Sequence, residues 1–301
     1  MWVNKEAGTN DWMDKSARDA DHFTEWDMAD LRPWKRGFDA FIQYLREDIP
    51  ASQIQTSSPV CKVFWDSDDA EGSVLVVTST REAYIADYVV VTTSLGHLKE
   101  RHASMFDPPL PSEYLDTLNG IELGVTDKIL IGWNEPWWGM RPLDLHIIFK
   151  DYSLSADESW LYSVMEFAST QRHANVLQAF VTGESAKLME NLPEQEVKNQ
   201  VVRHLKRVTG QNVPPPSFFR RTQWYNNVWI RGSNSYVTVT GDRNGLYSRQ
   251  PLTKSVANSN EKQVIFWAGE HTDTERYGTV DGAMSTGERE AFKVLRQYAL
   301  G

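Results

Sequence analysis

Residues 264–282, VIFWAGEHTDTERYGTVDG, run as an apolar strand pattern into Gly269 and Glu270 and then toward a helix. Glycine lets the chain turn there, and a carboxylate at the end of a strand can accept hydrogen bonds from ligand hydroxyls, as an acidic residue does for a ribose in a dinucleotide fold. A surface turn would account for Gly-Glu alone. The next residues, TVDGAMSTGEREAF, put small side chains at Gly282, Ala283 and Gly287, so that another body can approach the first helical turn. Free N–H groups and the positive end of the helix dipole at this first turn favour a partner that carries or develops negative charge. Asp281 as an N-cap would satisfy such donors from within. Met284, Ala291, Phe292 and Leu295 are spaced as the inward face of this helix.

Lys128 opens the otherwise apolar KILIGW. A lysine entering a core strand is either a satisfied structural charge, with Asp127 as its partner, or a positioned catalytic group. Trp224, Trp229, Tyr236 and Tyr277 supply large flat faces, which suit either a core or a pocket for something aromatic.

Other chemistries are excluded. The histidines, His97, His102, His204 and His271 among them, show no metal-ligand spacing, and neither a Walker A sequence nor a G-x-S-x-G elbow occurs. With 41 acidic against 31 basic residues the charge is −10, which repels nucleic acid and anionic membrane and favours cationic partners. Cys61 is the one cysteine, so no internal disulfide forms; within a strand pattern it reads as a small core residue. The N-terminal residues lack the apolar stretch of a signal peptide, and no run is long enough to span a membrane. A cytoplasmic protein is expected.

The positioning elements follow from periodicity. A helix is expected over 35–46 and another after Pro193, with Val197, Val201, Leu205 and Val208 on its apolar face. VCKVFWD and SVLVVTST read as strands joined by the hairpin SDDAEG, followed by AYIADYVVVTTS, in which YVVVTT reads as buried on both faces. After the PPLP break at 108–111 come KILIGW, SWLYSVMEF, VLQAFVTG and SYVTVTG as further strands, and a last helix over 281–298. The pattern is α/β in one part and α+β in the other, in two intermixed domains.

The block FWAGEHTDTERYGTVDGAMSTGEREA resembles the C-terminal signature of the flavin-containing amine oxidases. DYVVVTTSLGHLKE, VTDKILIGWNEPWWG and WYNNVWIRGSNSY are similar to successive blocks of the polyamine and spermine oxidase branch, in family order from about residue 60 to the end. Residues 1–59 match loosely, through FTEW and PWKRGFDAFIQYL. The resemblance implies FAD as cofactor, with the flavin N1 edge at Val280 to Ala283, Glu270 at the ribityl and pyrophosphate region, Gly269 and Thr279 beside them, and Trp224 packed by the ring. It makes Lys128 the holder of a water near flavin N5, and Trp229, Tyr236 and Tyr277 walls for a polyamine. Asp281 stands where family members often carry His, Val228 where proline is common, and Asn234 where GSYSY has tyrosine.

The family's G-x-G-x-x-G turn does not occur in this sequence. The resemblance therefore implies an incomplete amine oxidase fold: residues 1–32 from a first substrate segment, 33–111 from a flavin segment, 112–236 from a second substrate segment of mixed sheet and helices, and 237–301 from the last flavin segment. Without a βαβ unit beside them, YVVVTT and VIFWAG are expected to lose pairing partners. Two functions stay open: an N-terminally truncated polyamine oxidase, which uses oxygen and yields hydrogen peroxide, and an inactive module that binds polyamine or a protein partner without FAD. An amino-acid oxidase relative is disfavoured, since no arginine for a carboxylate is identifiable.

Overall fold

The computed structural model describes residues 8–24, 37–66, 74–149, 154–170, 172–246 and 249–300. Strand alternation sets its central feature. In Thr126–Gly132, Asp127, Ile129 and Ile131 point inward while Lys128 points out. This strand lies between Phe218–Arg221 and Val176–Thr182, and Glu166–Ser169 and Asp144–His146 complete a five-stranded sheet that is antiparallel throughout. Its inner face joins the helices Gly183–Glu190 and Glu194–Thr209 in a core that includes Ile129, Ile131, Trp160, Phe167, Leu177, Val197, Val201 and Leu205. Gly210, at φ 66°, ends the longer helix in the left-handed conformation, where a side chain would be strained.

A second core gathers Val63, Leu95, Leu98, Phe106, Leu118, Ile121, Ile265 and Trp267. It packs around the sheet Ala83–Ala86, Val74–Thr78, Val60–Phe64, Phe106–Asp107 and the sheet Val256–Ala257, Gln263–Trp267, Val89–Val91. Parallel pairing joins Val60–Phe64 to Phe106–Asp107 and Gln263–Trp267 to Val89–Val91. The first core uses residues 125–219 and the second uses residues on both sides of that span. Two cores interleaved along one chain match the mixed α/β and α+β expectation.

Several expected elements differ. YVVVTT forms only the short strand Val89–Val91 at a sheet edge, and Val90 is exposed. Gln263–Trp267 keeps a neighbour on each side. SWLYSVMEF divides into a 3-10 helix, Ala156–Ser163, and the strand Glu166–Ser169: Glu158, Trp160, Leu161 and Ser163 are all buried, which an alternating strand cannot achieve against one core. SYVTVTG stops as a strand at Val237, because Thr238 Oγ1 accepts from Gly241 N at 2.9 Å and starts a short helix. Cys61 is exposed, not in the core. The hairpin residues 67–73 lie outside the described residues.

The last helix, Val280–Leu300, reverses its expected facing. Met284, Phe292 and Leu295 are exposed, while Gly282, Thr286 and Glu290 are buried. Polar groups fix this orientation: Arg289 donates to Trp267 O at 2.9 Å and Thr272 O at 3.0 Å, and Glu290 receives Arg289 and Lys293.

His204 sits inside the 125–219 core with no hydrogen-bond partner at either ring nitrogen, and its ring stacks on Phe149 at 5.8 Å. Burial draws its pKa down to about 4. Between pH 6.5 and 4 the unfolded chain binds a proton that the folded chain does not, so stability is present above that window and falls as pH falls through it. Urea unfolding at stepped pH should show a loss of about 3 kcal/mol from this site across the window, and His204→Phe should remove that part of the slope.

Candidate functional site

Two clusters form around the residues singled out by sequence. The first surrounds Lys128. Its side chain lies on the open face of the five-stranded sheet, with Nζ 5.5 Å from the ring centre of its cross-strand partner Phe180. Among the described residues no carboxylate pairs with it. Asp127 points to the opposite face and is fully buried, so the expected Asp127–Lys128 pairing is not present.

Thr222 ties Asp127, Lys128 and Trp224 into one knot. Its hydroxyl donates to Asp127 Oδ1 at 2.6 Å and accepts from Lys128 N at 2.8 Å, and its own N–H reaches Lys128 O at 3.0 Å. Trp224 N donates to the same Asp127 Oδ1 at 3.3 Å. Trp224 itself is partly exposed, as is suitable for a ring that meets a ligand.

The second cluster surrounds Glu270, at the end of Gln263–Trp267. Glu270 Oε2 accepts from Ser235 Oγ at 2.7 Å and Gly278 N at 2.6 Å. Burial raises its pKa, and those two bonds together with Arg249 oppose the rise. Gly269 lies at φ 141° and its N–H donates to Thr286 Oγ1 at 2.9 Å, which anchors the turn to the helix. Next to it, buried His271 is drawn down to about 4 by desolvation and Arg249.

At the helix start Thr279, not Asp281, is the cap: Thr279 Oγ1 accepts from Gly282 N at 3.1 Å and Thr279 O from Ala283 N at 3.1 Å. Asp281 instead pairs with Arg276 at 2.7 Å, which neutralises its charge beside the first turn and helps to lower its pKa. A Cβ on Gly282 would stand 2.2 Å from Arg276 O, so the space left by this glycine is filled by the chain's own loop. At Gly287 a Cβ would meet open space.

The remaining aromatics divide. Tyr236 and Tyr277 are buried. Tyr236 donates to Asp14 Oδ2 at 3.2 Å and Tyr277 to Asp19 O at 2.7 Å, while the Arg249 guanidinium lies 3.6 Å from the centre of the Tyr277 ring. Burial and the nearby aspartates hold both phenols far above their usual pKa. Trp229 is exposed on another side: it meets the His97 ring at 5.4 Å and lines a cavity of about 310 Å³ with Cys61, His97 and Arg101.

One segment joins the two clusters. Ser233 Oγ accepts from Thr126 N and donates to Gly124 O, both at 2.9 Å, and two residues later Ser235 reaches Glu270. Asn234 packs between them against Gly8 and Gly278. Sequence reasoning passed over Thr222 and Ser235. The only available signal was the clustering of small polar residues in RRTQW and GSNSY between apolar strands.

The chemistry of the Glu270 turn is compatible with a polyhydroxylated group such as the ribityl chain of a flavin: a buried carboxyl accepts hydrogen bonds beside a helix N-terminus, which favours negative charge. The sequence contains no Gly-rich turn for the diphosphate.

A family profile described as flavin containing amine oxidoreductase matches residues 1–295. The human peroxisomal N(1)-acetyl-spermine/spermidine oxidase is 30% identical over 284 residues, covering 88% of this chain and 55% of that protein. Probable polyamine oxidase 5 of Arabidopsis thaliana is 26% identical, covering 87% and 55%. A solved structure of putrescine oxidase bound to putrescine superposes with a TM-score of 0.62 at 20% identity, covering 87% of this chain and 53% of that one. The chain thus spans about half the length of the curated relatives it matches. No helix among the described residues is long and apolar enough to cross a membrane.

The two helical glycines give a paired expectation. Gly282→Ala drives a Cβ into backbone and should cost about 3 kcal/mol, whereas Gly287→Ala, in open space, should gain up to about 1 kcal/mol through helix propensity. Urea unfolding of both variants checks the contrast.

Proposed function

Because the chain belongs to the flavin containing amine oxidoreductase family, we propose that it carries the substrate face and the flavin-contacting carboxyl-terminal segment of an FAD-dependent oxidase of polyamines. The observation that carries this reading is the knot at Thr222, which links Lys128, exposed and without a carboxylate partner among the described residues, to a partly exposed Trp224 through one buried carboxyl oxygen.

Glu270 and the first turn, with Gly269, Thr279, Val280, Gly282 and Ala283, would hold FAD at its ribityl chain and ring edge, and Trp224 would pack by the ring. When bound, FAD supplies the acceptor for hydride from the carbon beside the amine nitrogen and returns the electrons to oxygen as hydrogen peroxide. Lys128 holds a water on the sheet face, and as a cation it disfavours a second cation beside it, so the amine that settles there is the neutral form. The aromatic faces of Trp224 and Phe180 receive the alkyl chain. The net charge of −10 draws polycations such as spermine and spermidine toward the surface. The pairing of Asp281 with Arg276 keeps a bare carboxylate away from the negative charge that the first turn is suited to stabilise. The lone cysteine suits a reducing compartment, and the cytoplasm is proposed.

A non-catalytic module that binds polyamine or a protein partner without FAD is the second reading, favoured by the internal capping of the first helical turn by Thr279. An absorption spectrum after incubation with FAD and removal of excess separates the two. The oxidase reading expects retained flavin bands that bleach anaerobically with spermine, a bleaching rate about a hundredfold lower in Lys128→Met, and weaker retention in Glu270→Gln. A folded chain that retains no flavin sinks it.

A further inference from the structure

Asp127 is not alone beneath the sheet. Glu190, the last residue of Gly183–Glu190, is equally buried, and its carboxyl lies beside that of Asp127. Each carboxyl also captures backbone of the loop that follows Thr222. Asp127 Oδ1 takes Trp224 N; Glu190 Oε1 takes Tyr225 N at 2.9 Å and Oε2 takes Asn226 N at 2.6 Å. Three consecutive amides of one loop therefore end on two buried carboxyls from two different elements. Gln223 adds a bond to Glu190 O at 3.0 Å.

Two buried carboxylates in contact cannot both stay ionised without a cation between them. Among the described residues no cation hydrogen-bonds to the pair. Arg221 lies close enough to attract both carboxyls, but its guanidinium donates to Met189 O and Leu192 O and its charge is shared with Glu194; Lys187 pairs with Glu184 over the Tyr225 ring, and Lys128 points to the other face of the sheet. Asp127 Oδ2 is buried and no protein donor reaches it. A proton between the two carboxyls satisfies that oxygen.

We propose that Asp127 and Glu190 form a paired-carboxyl clasp, closed by one shared proton, that positions Trp224 relative to Lys128 for the amine reaction. The proposal rests on the oxidase reading for its purpose but not for its geometry. Burial and the neighbouring Glu190 hold Asp127 well above the usual carboxyl range, so the clasp is closed at neutral pH and opens as pH rises through that raised value. On opening, two negative charges repel, and the 224–226 amides are released.

The test needs no cofactor. Amide exchange of residues 222–227, corrected for intrinsic rates and referenced to Val176–Thr182, should accelerate about tenfold between pH 7 and 9.5 in the unsubstituted chain. Asp127→Asn, whose amide donates to Glu190 without a shared proton, should remain protected at both values, and Asp127→Ala should exchange fast at both. Equal protection of the unsubstituted chain at both pH values, or the same alkaline acceleration in Asp127→Asn, overturns the clasp. In FAD-loaded chain, kcat/KM for spermine should fall over the same alkaline range and not in Asp127→Asn. A flat kcat/KM while exchange moves would leave only a structural tie and overturn the positioning role. Failure to load FAD would sink the oxidase reading while the exchange data still decide the clasp.

Discussion

The buried ion pair between Arg249 and Asp19 is the interaction that ties residues near the start of the chain to those between 235 and 277. Both side chains are almost wholly excluded from solvent. Their partners come from separate parts of the chain: Asp19 Oδ2 also accepts from Val237 N, Arg249 donates to Ser235 O, and Tyr277 lies against Arg249 and bonds to Asp19 O. Desolvating two charges is costly, and only geometry that satisfies their remaining hydrogen-bonding capacity offsets it. Residues 17–21, 235–237, 249 and 277 are thereby fixed to one another, and with them Ser235, which reaches Glu270. The position of the Glu270 carboxyl is thus a remote consequence of a salt bridge that uses a residue near the start of the chain.

The same logic, a buried acid held by backbone from far along the sequence, recurs under the sheet. Asp127 and Trp224 are 97 residues apart, and Glu190 and Tyr225 are 35 apart. Each acid takes the place of a strand partner for a loop that has none. Because the loop closes on itself at Gly232, whose N–H donates to Trp224 O at 3.2 Å, and is gripped between those residues by His97 at Val228 O and Ser94 at Ile230 O, it is fixed from two sides. The open face of the sheet then carries Lys128 on a rigid strand and Trp224 on a loop with little freedom to drift.

What could be read from sequence was whatever a short window contains. The helix after Pro193 was legible because Val197, Val201, Leu205 and Val208 repeat at helical spacing; Thr126–Gly132 and Val176–Thr182 were legible as apolar runs. Lys128 stood out as a polar residue in such a run. Glu190 did not, since an acid at the end of an amphipathic helix looks like a solvated one until a loop 35 residues later lays its amides on it. The facing of the last helix was misread for a related reason. Hydrophobic spacing predicted one stripe, but Thr286, Arg289 and Glu290 bury the opposite one through bonds to Gly269, Trp267 and Thr272 that no local pattern encodes.

That helix leaves Val280, Met284, Phe292, Leu295 and Tyr298 facing solvent. The surface is thus of two kinds, an acidic shell and a greasy ridge, and they act on neighbouring molecules in opposite senses. Mutual repulsion among chains of charge −10 holds the ridges apart in dilute buffer. Salt shortens the range of that repulsion, to about 10 Å at 0.1 M, and leaves the attraction between apolar surfaces intact. Colloidal behaviour should therefore run opposite to that of a protein joined by ion pairs, with ionic strength encouraging association.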